Sequence, residues 1–354
     1  MALEDVVVFT IPFVPTISSG SGVERYAYEL LNNFPDEFLN YRIISNIKGN
    51  KFKRVLIGGA KFLNGAILKN SKLFHAVSPI SAHLLFESRR HHILTTVHDV
   101  IYLDWSHGWP PLEPLRKKYN ILSILKSDHI IVPFQYTKKR IMEEFDIDYA
   151  KISVVGYGID LARYHTFYKT LGNKTQKKYD VIFLGGVNPM SRGGEQVINI
   201  YRKILKVNPS TKVAIAGKGG QMEKLKKLSN ALGIFEMINW IDFIPEEKMP
   251  EVIGSSSLLL YPSYMGFSYL LMQSMAVGVP AVSSNLFDIP EFLGNAGITC
   301  PINDIERFSD TILSLVNDRD LLGAYVTKGI NIVKKMTPMK MAMETVNVYE
   351  QILR

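Results

Sequence analysis

A cation set among glycines, two glycine turns that follow apolar runs, and a histidine–aspartate pair are the residues of this sequence best suited to chemistry. Arg192 lies in Ser191-Arg192-Gly193-Gly194, where a guanidinium could grip a phosphate while the glycine backbone comes close behind it. Gly217-Lys218-Gly219 follows the apolar stretch 213–216 and would bring backbone and one positive charge to a ligand. Between the run Leu258-Leu259-Leu260 and a stretch of helical spacing lies a loop from Tyr264 to Ser268 containing Gly266. The unpaired N–H groups and the dipole of a helix starting there would favour an anion. His98-Asp99 closes another apolar run, at the place where a parallel sheet presents residues to ligand. Each feature also has an ordinary explanation: a surface cation, a buried turn, a satisfied strand-end histidine.

These residues need elements to aim them. Residues 257–291 read as one βαβ unit: a buried strand ending at Pro262, a loop, a helix stopped by Gly278 and Pro280, and a second strand at Ala281-Val282. The same alternation recurs along the chain. Strands are expected at 6–9, 41–45, 73–77, 93–97, 130–132 and 152–155, with helices at 114–125 and 137–145. A polar, basic segment at 163–178 lacks periodicity and reads as a linker. After it, strands are expected at 181–184, 213–216, 238–241, 258–261, 281–283 and 298–300, and helices at 195–206, 221–232 and 246–254. The expected class is α/β with two doubly wound parallel sheets. The first domain takes residues 1–165, joined by a last helix at 339–354, and the second takes 179–338.

At 354 residues, with 47% hydrophobic and 21% charged residues, the chain suits two core-forming domains and excludes a disordered one. The single cysteine, Cys300, has no disulfide partner within the chain, which favours a reducing compartment. The first ten residues lack the basic and apolar pattern of a secretion signal, and the apolar region 258–282 is broken by Pro262, Gly266, Gln273, Gly278 and Pro280. The expected location is therefore the cytoplasm. A net charge of +8 favours an anionic partner. Basic clusters at 51–54, 89–92, 116–118 and 138–140 suit an acidic membrane face or a nucleic-acid backbone, or are simply solvated.

The stretch 262–280, PSYMGFSYLLMQSMAVGVP, resembles the signature of glycosyltransferase family 4, P-S-x-x-E-G-F-G-L-x-x-x-E-A-M-A-x-G-x-P. Pro262, Ser263, Gly266, Phe267, Met275, Ala276, Gly278 and Pro280 match, while Met265 and Gln273 replace the two glutamates. SGVERYAYEL is similar to the opening motif G-G-x-E-R-x-x-x-x-L, with Ser21 for the first glycine and Gly22 for the second. TTVHDVIYLDW is similar to the family's H-D region, FLGGVNPMSRGG to F-x-G-R-x-x-x-x-K-G, and VVGYGIDLARY to V-I-x-N-G-V-D-x-x-x-F. In these, Val187 replaces the arginine, Arg192 the lysine and Tyr157 the asparagine.

The resemblance implies a GT-B fold, two Rossmann-like domains facing a cleft. It further implies transfer of a sugar from a nucleotide-sugar, UDP- or GDP-linked, to a glycan or lipid-linked acceptor hydroxyl, with retention and without a metal or other cofactor. His98 and Arg192 would be catalytic. Gly22, Gly217, Lys218, Gly219, Met265, Gly266, Phe267, Ser268, Tyr269 and Gln273 would line the donor, and Ser21 and Asp99 the acceptor side. Gln273 could still accept a hydrogen bond from ribose, whereas Met265 offers an apolar contact. Two other readings share the fold: a transferase acting on DNA, and a nucleotide- or glycan-binding protein without turnover.

Overall fold

Near-continuous apolar runs flanked by glycine and proline produce strands buried on both faces, as parallel sheets require. The computed structural model describes residues 6–9, 22–35, 42–44, 72–83, 91–104, 113–164, 177–186 and 191–354. They divide into two compact units, Met1–Gly158 with Met336–Arg354, and Ile159–Lys335. Residues 165–176 of the expected linker, with Ser21 and Val187, lie outside the described residues.

In the first unit the strands are β1 (Val6–Phe9), β2 (Arg42–Ile44), β3 (Leu73–Ala76), β4 (His92–Thr96), β5 (His129–Val132) and β6 (Ile152–Val154). All pairs are parallel, in the order β2-β1-β3-β4-β5-β6. Helices α1 (Gly22–Leu31), α2 (Pro79–His83), α3 (Ile101–Asp104), α4 (Glu113–Lys126) and α5 (Gln135–Phe145) connect or flank them.

The second unit carries β7 (Tyr179–Gly186), α6 (Gly194–Val207), β8 (Val213–Gly217), α7 (Gly220–Ala231), β9 (Ile238–Ile241), α8 (Met249–Gly254), β10 (Ser256–Tyr261), α9 (Tyr269–Ala276), β11 (Ala281–Ser284), α10 (Ile289–Leu293), β12 (Ile298–Cys300), α11 (Ile305–Asn317) and α12 (Arg319–Val333). Its parallel order is β12-β11-β10-β7-β8-β9. The chain winds outward from β7 through β9, then from β10 through β12 the other way. The reversal between β7 and β10 is the crevice at which ligands bind in open α/β sheets. Every residue of α9 is buried, so this helix has core on all sides.

The last helix, α13 (Pro338–Leu353), belongs to the first unit. Its Tyr349 hydroxyl lies 2.6 Å from His75 Nδ1. A Cβ on Gly158 would come within 2.5 Å of the Pro338 backbone, so the helix start passes directly over that glycine. The helix expected over 246–254 begins later. Residues Glu246–Lys248 form a 3-10 turn, and the α-helix opens at Met249 with Pro250 in its first turn.

Candidate functional site

The second unit gathers most of the expected site residues at the carboxyl edge of its sheet. Arg192 lies just before α6 and donates from Nη1 to the Leu184 carbonyl at 3.2 Å, folding its guanidinium back over the end of β7. Gly193 is the N-cap of α6 at φ 83°, without a side-chain cap, so the first amides of a fourteen-residue helix open beside Arg192. A Cβ there would lie 1.8 Å from the Pro262 carbonyl oxygen. Only glycine lets α6 meet the loop after β10.

That loop is held from several sides. Ser263 Oγ accepts from the Met265 amide at 3.0 Å, and the Tyr264 amide donates to the Ser191 carbonyl at 3.2 Å. Gln196 Nε2 and the Tyr264 hydroxyl are hydrogen-bonded. Ser268 caps α9 by accepting from Leu270 at 3.3 Å. Asp288, just before α10 and 2% exposed, accepts from the Phe267 amide at 2.7 Å. Its Oδ1 would stand 2.6 Å from a Cβ at Gly266, so a side chain there would have to push Asp288 off the Phe267 amide. Sequence reasoning missed Asp288, because its partner lies on the preceding strand–helix connection, 21 residues away.

Gly217 and Gly219 adopt positive φ, and Lys218 donates its amide to the Gly186 carbonyl at 2.9 Å. Lys218 Nζ lies 3.7 Å from the centroid of Phe243, in the loop after β9. Gln273 is 3% exposed. Its Nε2 donates to Glu246 Oε1 at 2.8 Å and to the Tyr164 hydroxyl at 3.2 Å. Tyr269 is buried and Met265 half-buried.

The first unit holds Gly22 at the start of α1, His98 and Asp99. His98 Nε2 lies 2.8 Å from the Val77 carbonyl, which can only accept, so Nε2 carries the proton. Nδ1 then accepts from the Tyr157 hydroxyl at 3.0 Å. Burial pushes the His98 pKa down to about 4, partly opposed by the Val77 hydrogen bond. At neutral pH the ring is therefore an uncharged hydrogen-bonding group. Asp99 Oδ1 accepts from the Ile101 amide at 3.3 Å, shaping the turn into α3.

One basic cluster is not a patch. Lys138 is buried and donates to the Ile152 carbonyl at 2.6 Å, while Arg140 pairs with Glu143 at 3.0 Å. Of the three cations at 138–140, Lys139 is thus the one whose side chain is mostly exposed. Two Asp-x-Asp triplets occur, at 146–148 and 318–320. Asp148 accepts from the Ala150 amide, and Asp318 caps α12 by accepting from Asp320 and Leu321. Among the described residues no group of three or more His, Cys, Asp or Glu could hold a metal ion.

Residues 167–331 match the family model described as glycosyl transferases group 1, and residues 39–163 the model described as glycosyltransferase family 4. The chain belongs to this glycosyltransferase family. O-antigen chain mannosyltransferase B of Escherichia coli is 29% identical over 114 residues, 32% of this chain and 30% of that protein. A D-inositol 3-phosphate glycosyltransferase of Corynebacterium efficiens is 23% identical over 208 residues, 54% of this chain and 49% of the relative. The matched segments thus span half or less of these family members. Sucrose-phosphate synthase from Thermosynechococcus elongatus superposes with a TM-score of 0.79 at 13% identity, covering 98% of each chain. Anabaena HepE, solved with UDP, superposes at 0.75 and 12% identity over 98% of this chain and 100% of its own. The family's Rossmann-like GT-B fold is therefore present.

Proposed function

We propose that this chain is a retaining glycosyltransferase that moves a sugar from a nucleoside diphosphate sugar to the hydroxyl of a glycan or lipid-linked acceptor. The observation that carries the reading is the convergence, at the crevice between β7 and β10, of Arg192, the uncapped start of α6, the 217–219 turn and the 262–268 loop. Together they suit a diphosphate with a nucleoside on one side. HepE, which shares the fold, has been solved with UDP and with UDP-glucose, which supports a uridine or similar donor.

In the proposed reaction the bond from the anomeric carbon to the diphosphate oxygen breaks and a bond to the acceptor oxygen forms on the same face. The acceptor proton passes to the departing phosphate. Because the Phe267 amide is already given to Asp288, the growing negative charge falls to Arg192 and the first amides of α6. Such preorganised donors are the strongest device available for a charged leaving group. His98 is assigned to bordering the sugar rather than to proton removal, because its neutral ring has both nitrogens engaged, by Val77 and Tyr157. The net charge of +8 suits an acceptor displayed on an anionic membrane. Among the described residues no helix is long and apolar enough to cross one.

Met265, apolar where the family carries a glutamate, favours a second reading in which the protein binds a nucleotide without turnover. Thermal shift with UDP, GDP, ADP, TDP and their sugar conjugates tests the donor reading first. A ligand at about 100 times its dissociation constant stabilises the fold by about 2.7 kcal/mol. A shift for one base, followed by turnover with glycan or lipid acceptors, is the expected result. A shift without turnover of any conjugate favours the binding protein, and no shift at all removes both readings.

A further inference from the structure

Between Pro262 and Gln273 the chain has no acidic residue, although this stretch flanks the crevice where a nucleoside would lie. A ribose carries two adjacent hydroxyls, and α/β nucleotide sites grip that pair with a carboxylate. Two acids near this edge are committed to backbone amides. Asp288 holds the Phe267 amide at 2.7 Å, and Asp304 caps α11 through the Arg307 amide at 2.9 Å. Glu246 instead meets a side chain. It is half-buried at the entrance to α8, and its Oε1 accepts from the Gln273 amide at 2.8 Å.

Resting on the donor reading above, we propose that Glu246 supplies the carboxylate for the ribose hydroxyls, and that Gln273 is its positioning partner. Gln273 is 3% exposed and gives its Nε2 to both Glu246 and Tyr164, so it serves the acid more than the ligand. A glutamate at 273 would set two carboxylates against each other at that distance and force one to keep its proton. The amide at 273 and the acid at 246 are thus a matched pair, with the charge moved to the neighbouring loop. The same loop presents Phe243, 51% exposed, with Lys218 over its ring at 3.7 Å. An exposed cation–π contact of this kind is weak and yields easily, leaving an aromatic face for a base three residues from Glu246.

The test is calorimetric binding of UDP and GDP, each beside its 2′-deoxy form, with pyrophosphate as control. The wild-type protein should prefer the ribose form by about tenfold, the value of one hydrogen bond to a charged group. Glu246→Gln, nearly isosteric, should bring the ratio to within about twofold by weakening the ribose form, with pyrophosphate binding unchanged. Gln273→Glu should also lose discrimination, and the double variant Gln273→Glu/Glu246→Gln should regain it. Discrimination that survives Glu246→Gln overturns the proposal, as does equal loss of ribose and deoxyribose forms, while the donor reading stands. Binding of no nucleoside diphosphate by the wild-type protein overturns the donor reading itself.

Discussion

Arg192 donates to the Leu184 carbonyl, and a guanidinium has five N–H groups to give. Arg192→Ala should therefore weaken a nucleoside diphosphate by about 10- to 100-fold, as expected for a charge-assisted bond of about 1.5–3 kcal/mol, and leave the bare nucleoside nearly unaffected. Equal weakening of both would show that the side chain only props the end of β7. At His98 the sequence pointed to the right strand end but not to the state of the ring, because Val77 and Tyr157 reach it from 21 and 59 residues away. Tyr157→Phe removes the donor to Nδ1, and a neutral nitrogen that loses its donor protonates more readily. The His98 midpoint, followed by NMR, should rise from about 4, with turnover falling several-fold. A midpoint unchanged in Tyr157→Phe would mean that the hydroxyl does not govern the ring.

Elements were easier to read than their contacts. The strands at 258–260 and 213–216 announce themselves as apolar runs, since a parallel strand is buried on both faces and needs no alternation. Helices α11 and α12 were not among the expected elements, yet Ile305, Phe308, Ile312 and Leu315 recur at helical spacing behind the cap residue Asp304. What no local pattern discloses is the junction between α6 and the loop after β10. Gly193 has φ 83° and no room for a Cβ against Pro262, so Gly193→Ala has to move one element from the other. Overpacking and left-handed strain together should cost about 2–4 kcal/mol, read as a lower urea midpoint at unchanged slope. Binding of nucleoside diphosphate should fall with it, because Arg192 adjoins the same junction. A variant as stable as the parent would show that the two elements are not locked there.

Across the whole molecule, ionisable groups are unevenly shared. Of the eight histidines, only His165 falls in the second unit's span. In the first, His75 is fully buried between Tyr349 and Thr96, its ring nitrogens 2.6 and 2.7 Å from the two hydroxyls. Burial, with the nearby His98, pushes its pKa down to about 3, and burial pushes that of His98 to about 4. Unfolded histidine titrates near 6.5. Between those values the unfolded chain holds protons that the folded chain refuses, so stability is full above about pH 6.5 and declines as the solution is acidified. Each histidine contributes a slope of about 1.4 kcal/mol per pH unit until its folded pKa is reached. The loss should concentrate in the first unit, where β3, β4 and α13 are tied together through His75. Hydrogen exchange at pH 7 and pH 5 should show amides of β4 and β5 losing protection faster, corrected for intrinsic rate, than those of β8 and β10. His75→Gln, which cannot take up a proton, should reduce the first unit's slope by one histidine's share even if its stability at pH 7 is lower. Equal loss of protection in both sheets, or a slope unchanged in His75→Gln, would show that acid acts on the molecule elsewhere than at this buried pair.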